Sequence, residues 1–249
     1  MNNTPISYWY INLAIGKTLH IGGFVNKIGG VTTLTYDVKD VSKWFLANNT
    51  DAAIPSLNGH LKLQKLLYYA QAMNLAVKDE PLFNNRIEAW ENGPVVKDMF
   101  IEYRHNNFAE RFHTEESNCD EFNKKTLKIF QIVNHVYGSQ TGQQLVDLTH
   151  SEEPWSELEE EAIKRLNPEI KKERIKDYYE PLKEIFVAYE GYDFSAESVE
   201  KINGNVFVYN KHETEFEEDD FRNLWNLGEE FKGEKYFVYK DDDGELVIY

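Results

Sequence analysis

The most regular hydrophobic pattern in the chain runs from Leu61 to Val77. Leu63, Leu66, Leu67, Ala70, Met73 and Val77 fall there at helical spacing. That spacing predicts a helix with one continuous buried stripe. Ser56 or Asn58 is placed to cap its start, and no β-branched residue interrupts the stretch before Val77. Lys62, Lys65 and Gln71 lie away from the stripe, and Pro81 stops any continuation.

Similar periods predict helices on either side. Asp37 caps a helix to about Asn48, with Val38, Val41 and Phe45 on one face. Asn48 to Asn58 reads as a loop. Arg86 to Glu91 alternates as a short strand, Ile87 and Ala89 to one side, Glu88 and Trp90 to the other. Asn92 and Gly93 turn the chain, and Pro94 suits the first turn of a new helix that buries Val96, Met99, Phe100 and Tyr103. His105 to Asn118 is polar and loop-like. Asp120 opens a helix that Gly138 ends. Thr141 and Gln144 have capping-box spacing for a short helix ending near His150. Pro154 begins the next helix, broken at Asn167 and Pro168. Pro181 splits or kinks a last helical run that Gly191 closes.

Beyond Asn203 and Gly204 the period changes. Val206 to Tyr209 is rich in β-formers, and Tyr236 to Lys240 with Glu245 to Tyr249 reads as a hairpin around a Gly-containing turn. Phe221 to Leu227 is a helical turn, and Ser195 to Ile202 one more short helix. The fold class is therefore mainly α, with one short strand or hairpin insertion and a small C-terminal α+β appendage over 190–249.

Three strings carry a likeness. Lys62 to Ala72 (KLQKLLYYAQA) resembles the signature helix of the Panacea domain. Glu88 to Val96 (EAWENGPVV) and Leu148 to Trp155 (LTHSEEPW) resemble later segments of the same family, in the same order. The likeness spans roughly residues 36 to 181 and places a helical domain over 36–189. It implies an antitoxin of a bacterial or phage toxin–antitoxin pair. Such a protein neutralises its cognate toxin by direct binding or, in SocA-type cases, by delivering it to a host protease. Within its motifs it assigns structural roles to Lys62, Lys65, Gly93, Pro94, His150, Pro154 and Trp155.

Composition narrows the alternatives. With 249 residues, 41% hydrophobic and 14% aromatic, the chain suits a folded protein. A net charge of −16 argues against a general nucleic-acid binder and favours a basic partner surface. The single Cys119 excludes an internal disulfide and fits a reducing cytoplasm. No membrane span or secretory signal is expected. Charge is uneven: residues 1–35 carry +2, and residues 210–249 carry −8. The first 35 residues read either as an N-terminal arm or as sequence upstream of the true start, with Leu34 as a TTG codon. The acidic run Glu213 to Asp220 reads as a solvated loop or as a decoy for a toxin's nucleic-acid-binding surface.

No phosphate loop, dinucleotide fingerprint, nucleophile elbow or zinc-protease helix is present. No catalytic residue, cofactor or metal is expected. His150 is read as fixing a helix junction. The alternative is a metal-assisted hydrolase of a mobile element centred on His150, Glu152 and Glu88. Gln64, Tyr68 and Gln71 form a polar and aromatic strip, read as a hydrogen-bonding groove shared with Glu88 or as ordinary amphipathic surface. Trp155 is assigned to the core, and Trp90 either to the core or to partner binding.

Overall fold

The computed structural model describes residues 26–28, 31–33, 35–112, 122–212, 214–227, 235–241 and 243–248. The expected helix start at Asp120, Cys119 and most of residues 1–35 lie outside them. Two short strands, β1 (Asn26–Ile28) and β2 (Val31–Thr33), pair antiparallel. The protein is mainly α-helical, and it divides into a first unit ending at Gly191 and a second starting at Tyr192.

Local signals set most of the first unit. Asp37 accepts from the Lys39 backbone N–H and starts α1 (Val38–Asn48). Asn49 then caps a one-turn helix, α2 (Thr50–Ala53), inside the expected loop. Ser56 caps the central helix, α3 (Leu57–Lys78), which closes on Asp79 in the left-handed region.

α3 is not the one-striped helix its pattern predicts. Every residue from Lys62 through Ala76 is buried. The helix is enclosed by later helices as well as by α1, so its polar face is interior too. Lys62, Lys65 and Gln71 are therefore core residues. A helical wheel places them outside only because it assumes that one side faces water.

β3 (Ile87–Trp90) and β4 (Gly93–Val96) form an antiparallel hairpin. Pro94 thus lies on a strand, not in a helix. Its partner Ala89 sends its N–H away from β4, to the carbonyl of Pro168 at 2.8 Å. The pair is therefore a non-hydrogen-bonded one, where the missing proline N–H costs nothing. The following helices are α4 (Lys97–His105) and α5 (Phe108–Phe112), the latter within the stretch expected to be a loop. Asn123 caps α6 (Lys124–Tyr137), with Gly138 at its end. The Thr141 and Gln144 capping box forms and opens α7 (Gly142–His150). α8 (Glu153–Ser156) has Pro154 in its first turn, α9 (Glu159–Ile163) follows, and Pro181 separates α10 (Lys172–Tyr178) from α11 (Leu182–Tyr189).

In the second unit β5 (Glu197–Ile202) replaces the expected helix, because it pairs along its length with β6 (Asn205–Asn210). Asn203 and Gly204, both at positive φ, make the two-residue turn between them. After α12 (Glu218–Leu227), β7 (Lys235–Lys240) pairs parallel with β6, and β8 (Leu246–Ile248) pairs antiparallel with β7. Ile202, Phe207, Leu224 and Val238 form its core.

Candidate functional site: three motif segments and an adjoining cleft

The three motif strings meet in space. Lys65, fully buried on α3, donates from Nζ to the carbonyls of Asn92 at 2.6 Å and Pro94 at 3.1 Å. It thereby holds the hairpin turn from below. Burial lowers the Lys65 pKa to about 7. Gly93 takes φ +90, and a Cβ there would stand 2.7 Å from Thr149 Oγ1 and 2.8 Å from Lys65 Cε. Only glycine meets both demands. From the third string, the Trp155 indole donates to the Trp90 carbonyl at 2.9 Å. The His150 ring stacks on Trp155 with centroids 3.7 Å apart. His150 thus sits at the junction of α7 and α8, with its pKa lowered mainly by burial.

Glu152 is the most buried acid of this frame. Its carboxylate accepts from the hydroxyls of Tyr69, at 3.0 Å, and Tyr179. Burial still raises its pKa to about 7, against the stabilising pull of those two donors. Tyr69 in turn stacks on Tyr137 with centroids 3.9 Å apart. Glu88 accepts from the Trp90 indole at 3.0 Å. His150, Glu152 and Glu88 therefore make separate contacts. Among the described residues no group of three or more His, Cys, Asp or Glu is placed to hold a metal ion.

The expected strip along Gln64, Tyr68 and Gln71 is interior. Gln71 Oε1 accepts from the N–H groups of Leu82 and Phe83, and its Nε2 donates to the Phe83 carbonyl. The Tyr68 ring lies edge-on to Tyr179. Gln64 lines a cleft. Its Oε1 accepts from the Val96 N–H at 2.8 Å, and its Nε2 lies 3.5 Å from His60 Nε2. Since the amide nitrogen must donate, His60 Nε2 is the acceptor and its proton sits on Nδ1. Lys62 holds Asp51 at 2.9 Å. Pro154 is buried in the first turn of α8.

The cleft has a volume of about 510 Å³ and lies between the start of α3, the hairpin tip and α4. Trp90 and Phe100, packed at 4.7 Å, line it, as does Leu57, which is 67% exposed. Arg104 lies over the Phe100 ring, its guanidinium carbon 5.8 Å from the centroid. Arg165 is engaged with Glu91 at 3.0 Å. His60 stacks on Tyr103, and burial, with Lys65 and Arg104 nearby, lowers its pKa to about 4. His60 is therefore neutral at physiological pH. Of this cleft, the sequence singled out only Gln64 and Trp90 as binding candidates. Leu57 and His60 share the first turns of α3 with Gln64, whereas Arg104 and Arg165 come from distant segments. The one local signal was a leucine beside the Ser56 cap, ahead of the predicted stripe.

Residues 63–156 match the family model for the antitoxin SocA-like Panacea domain. The match covers less than half of the chain, within the 36–181 span of the resemblance, and contains all three motif strings except Lys62. Neither the curated proteins nor the solved structures hold a significant match to this chain. The Panacea match supports an antitoxin-type role in general, and the family suggests a non-enzymatic one. No helix among the described residues is long and apolar enough to cross a membrane.

Proposed function

We propose that this protein is the antitoxin of a toxin–antitoxin pair and neutralises a cognate toxin by binding it directly. The Panacea match over residues 63–156 carries the proposal. The geometry supports binding rather than chemistry. Lys65, Glu152, Gln71 and Glu88, which a catalytic reading would want free, are buried and engaged with neighbouring groups. What faces outward is a cleft with aromatic and aliphatic walls, the kind of surface that anchors a partner. In this reading Trp90 and Gln64 contact the toxin, whereas Gln71, Tyr68 and Glu88 support the frame behind them. Delivery of the bound toxin to a host protease is a later step that the same contact would serve. Neither nucleic acid nor membrane takes part, and the complex forms in the cytoplasm.

Co-expression tests the proposal. The reading frame beside this gene is induced alone and then with the full chain, and growth is recorded. Toxicity alone with rescue together is the expected result, with the two proteins co-purifying. Toxicity that this chain does not relieve would overturn it. If rescue occurs and toxin levels fall in a protease-dependent manner, delivery is the mechanism. Steady toxin levels mean occlusion.

A further inference from the structure

We propose that the cleft takes an acidic, apolar peptide segment of the partner protein, with an aliphatic or aromatic side chain against Trp90 and Phe100 and a carboxylate on Arg104. The inference rests on the antitoxin reading for the partner's being a protein. It adds the chemistry of the segment and the residue that selects it.

Charge is the first argument. In a chain of net charge −16, Arg104 is exposed and has no carboxylate within salt-bridge reach among the described residues. The other cation at the cleft, Arg165, is already engaged by Glu91. One unpaired guanidinium suits one carboxylate, to which it offers two parallel N–H donors. A polyphosphate would call for several cations, and among the described residues the cleft holds one that is not already paired. The overall negative charge acts on a partner's total charge across solvent, where salt screens it. Inside the cleft the nearest group decides.

Shape is the second argument. A smaller cleft of about 280 Å³ lies beside the first, and the two share Leu57, His60 and Arg104. Arg104 therefore stands between two hollows. An extended segment can fill both while its carboxylate meets the cation in the middle, whereas a compact molecule fills one. Leu57 and Leu166 are each 67% exposed, and Leu166 lies between Arg165 and Asn167, two cleft residues held at φ 59 and 50. His60, kept neutral with Nε2 turned to Gln64, can donate a hydrogen bond from Nδ1–H without repelling either charge.

The test pans a random short-peptide display library on the purified full chain. Recovered peptides are then synthesised with a fluorophore, and their affinities are read by anisotropy. Peptides with Asp or Glu within a residue or two of Leu, Phe or Trp are expected. Arg104→Glu should weaken them about tenfold or more, and Arg104→Lys less. Arg104 is exposed, so thermal unfolding should barely change and loss of folding cannot mimic the result. Basic or charge-free winners, or binding indifferent to Arg104→Glu, would overturn the proposal. So would Arg104-dependent binding of ATP with no peptide recovered, which would give the cleft to a nucleotide. The growth assay separates the two readings. Full rescue by Arg104→Glu would sink the peptide inference and leave the antitoxin role standing. No rescue by the unmodified chain, with acidic peptides still bound, would do the reverse.

Discussion

The two halves of α3 use the same kinds of side chain for opposite ends. Gln71, in the second half, closes three hydrogen bonds on the backbone of Leu82 and Phe83 and has no part in the cleft. Gln64, two turns earlier, braces Val96 on one side and reaches His60 and the cleft on the other. Tyr69 buries its hydroxyl on Glu152, whereas Leu57 lies open to solvent. One end of the helix is scaffold and the other is display. A helix enclosed on all sides can hold a surface site only at an end, where its neighbours fall away.

The contrast predicts a gradient of costs. The largest falls on the scaffold's tightest point. Gly93→Ala forces a Cβ against Lys65 and Thr149 at positive φ, and should destabilise by about 3–4 kcal/mol in chemical denaturation. A loss under 1 kcal/mol would mean that the frame is looser than the distances imply.

The pH dependence comes next, with opposite signs in the two regions. Glu152 has its folded pKa raised to about 7, so the folded state binds the extra proton. Its contribution to stability therefore falls as pH rises from about 4.5 to 7, by about 3 kcal/mol if the whole shift is expressed. His60 has its folded pKa lowered to about 4, so the unfolded state binds the proton more readily. Its contribution rises with pH between about 4 and 6.5, by a similar amount. The two oppose each other in the native protein. Glu152→Gln should steepen the loss of stability on acidification, and His60→Gln should flatten or reverse it. Stability curves that respond to both variants in the same direction would refute the assignment.

A smaller difference separates the two glutamines. Gln71→Ala strands interior backbone groups and should cost about 2–3 kcal/mol. Gln64→Ala strands the Val96 N–H near a cleft that water can enter, and should cost about 1 kcal/mol. Smallest of all, Arg104→Glu and Leu57→Asp should change stability by no more than about 0.5 kcal/mol, since both residues are exposed.

What the sequence revealed follows the same division. Asp37, the Thr141 and Gln144 box, Gly138 and Pro181 act on their own few residues, and each does in the fold what its local pattern predicts. Lys65 and Gln71 read as lying away from the buried stripe of α3 because their partners, Asn92, Pro94 and Leu82, come from segments that no periodicity connects to the helix. Pro94 fits both a helix start and an unbonded strand position, and only the Ala89 to Pro168 hydrogen bond decides between them. Residues 197–202 are a strand because β6 pairs with them, which again is non-local. The cleft joins Leu57, Trp90, Arg104 and Arg165 from separate elements, so it was legible only where a motif happened to include a member. The acidic C-terminal unit drew attention through composition. It also exposes Trp225 and Val199, which makes it the natural competitor for partner contact.

Hydroxyl-radical footprinting of the full chain, alone and with its co-purified partner, sets these two surfaces against each other. Oxidation of Leu57, Trp90 and Phe100 should fall in the complex, while Trp225 and Val199 stay as reactive as in the free protein. Protection confined to Trp225 and Val199, with the cleft residues unchanged, would contradict the account and move recognition to the second unit.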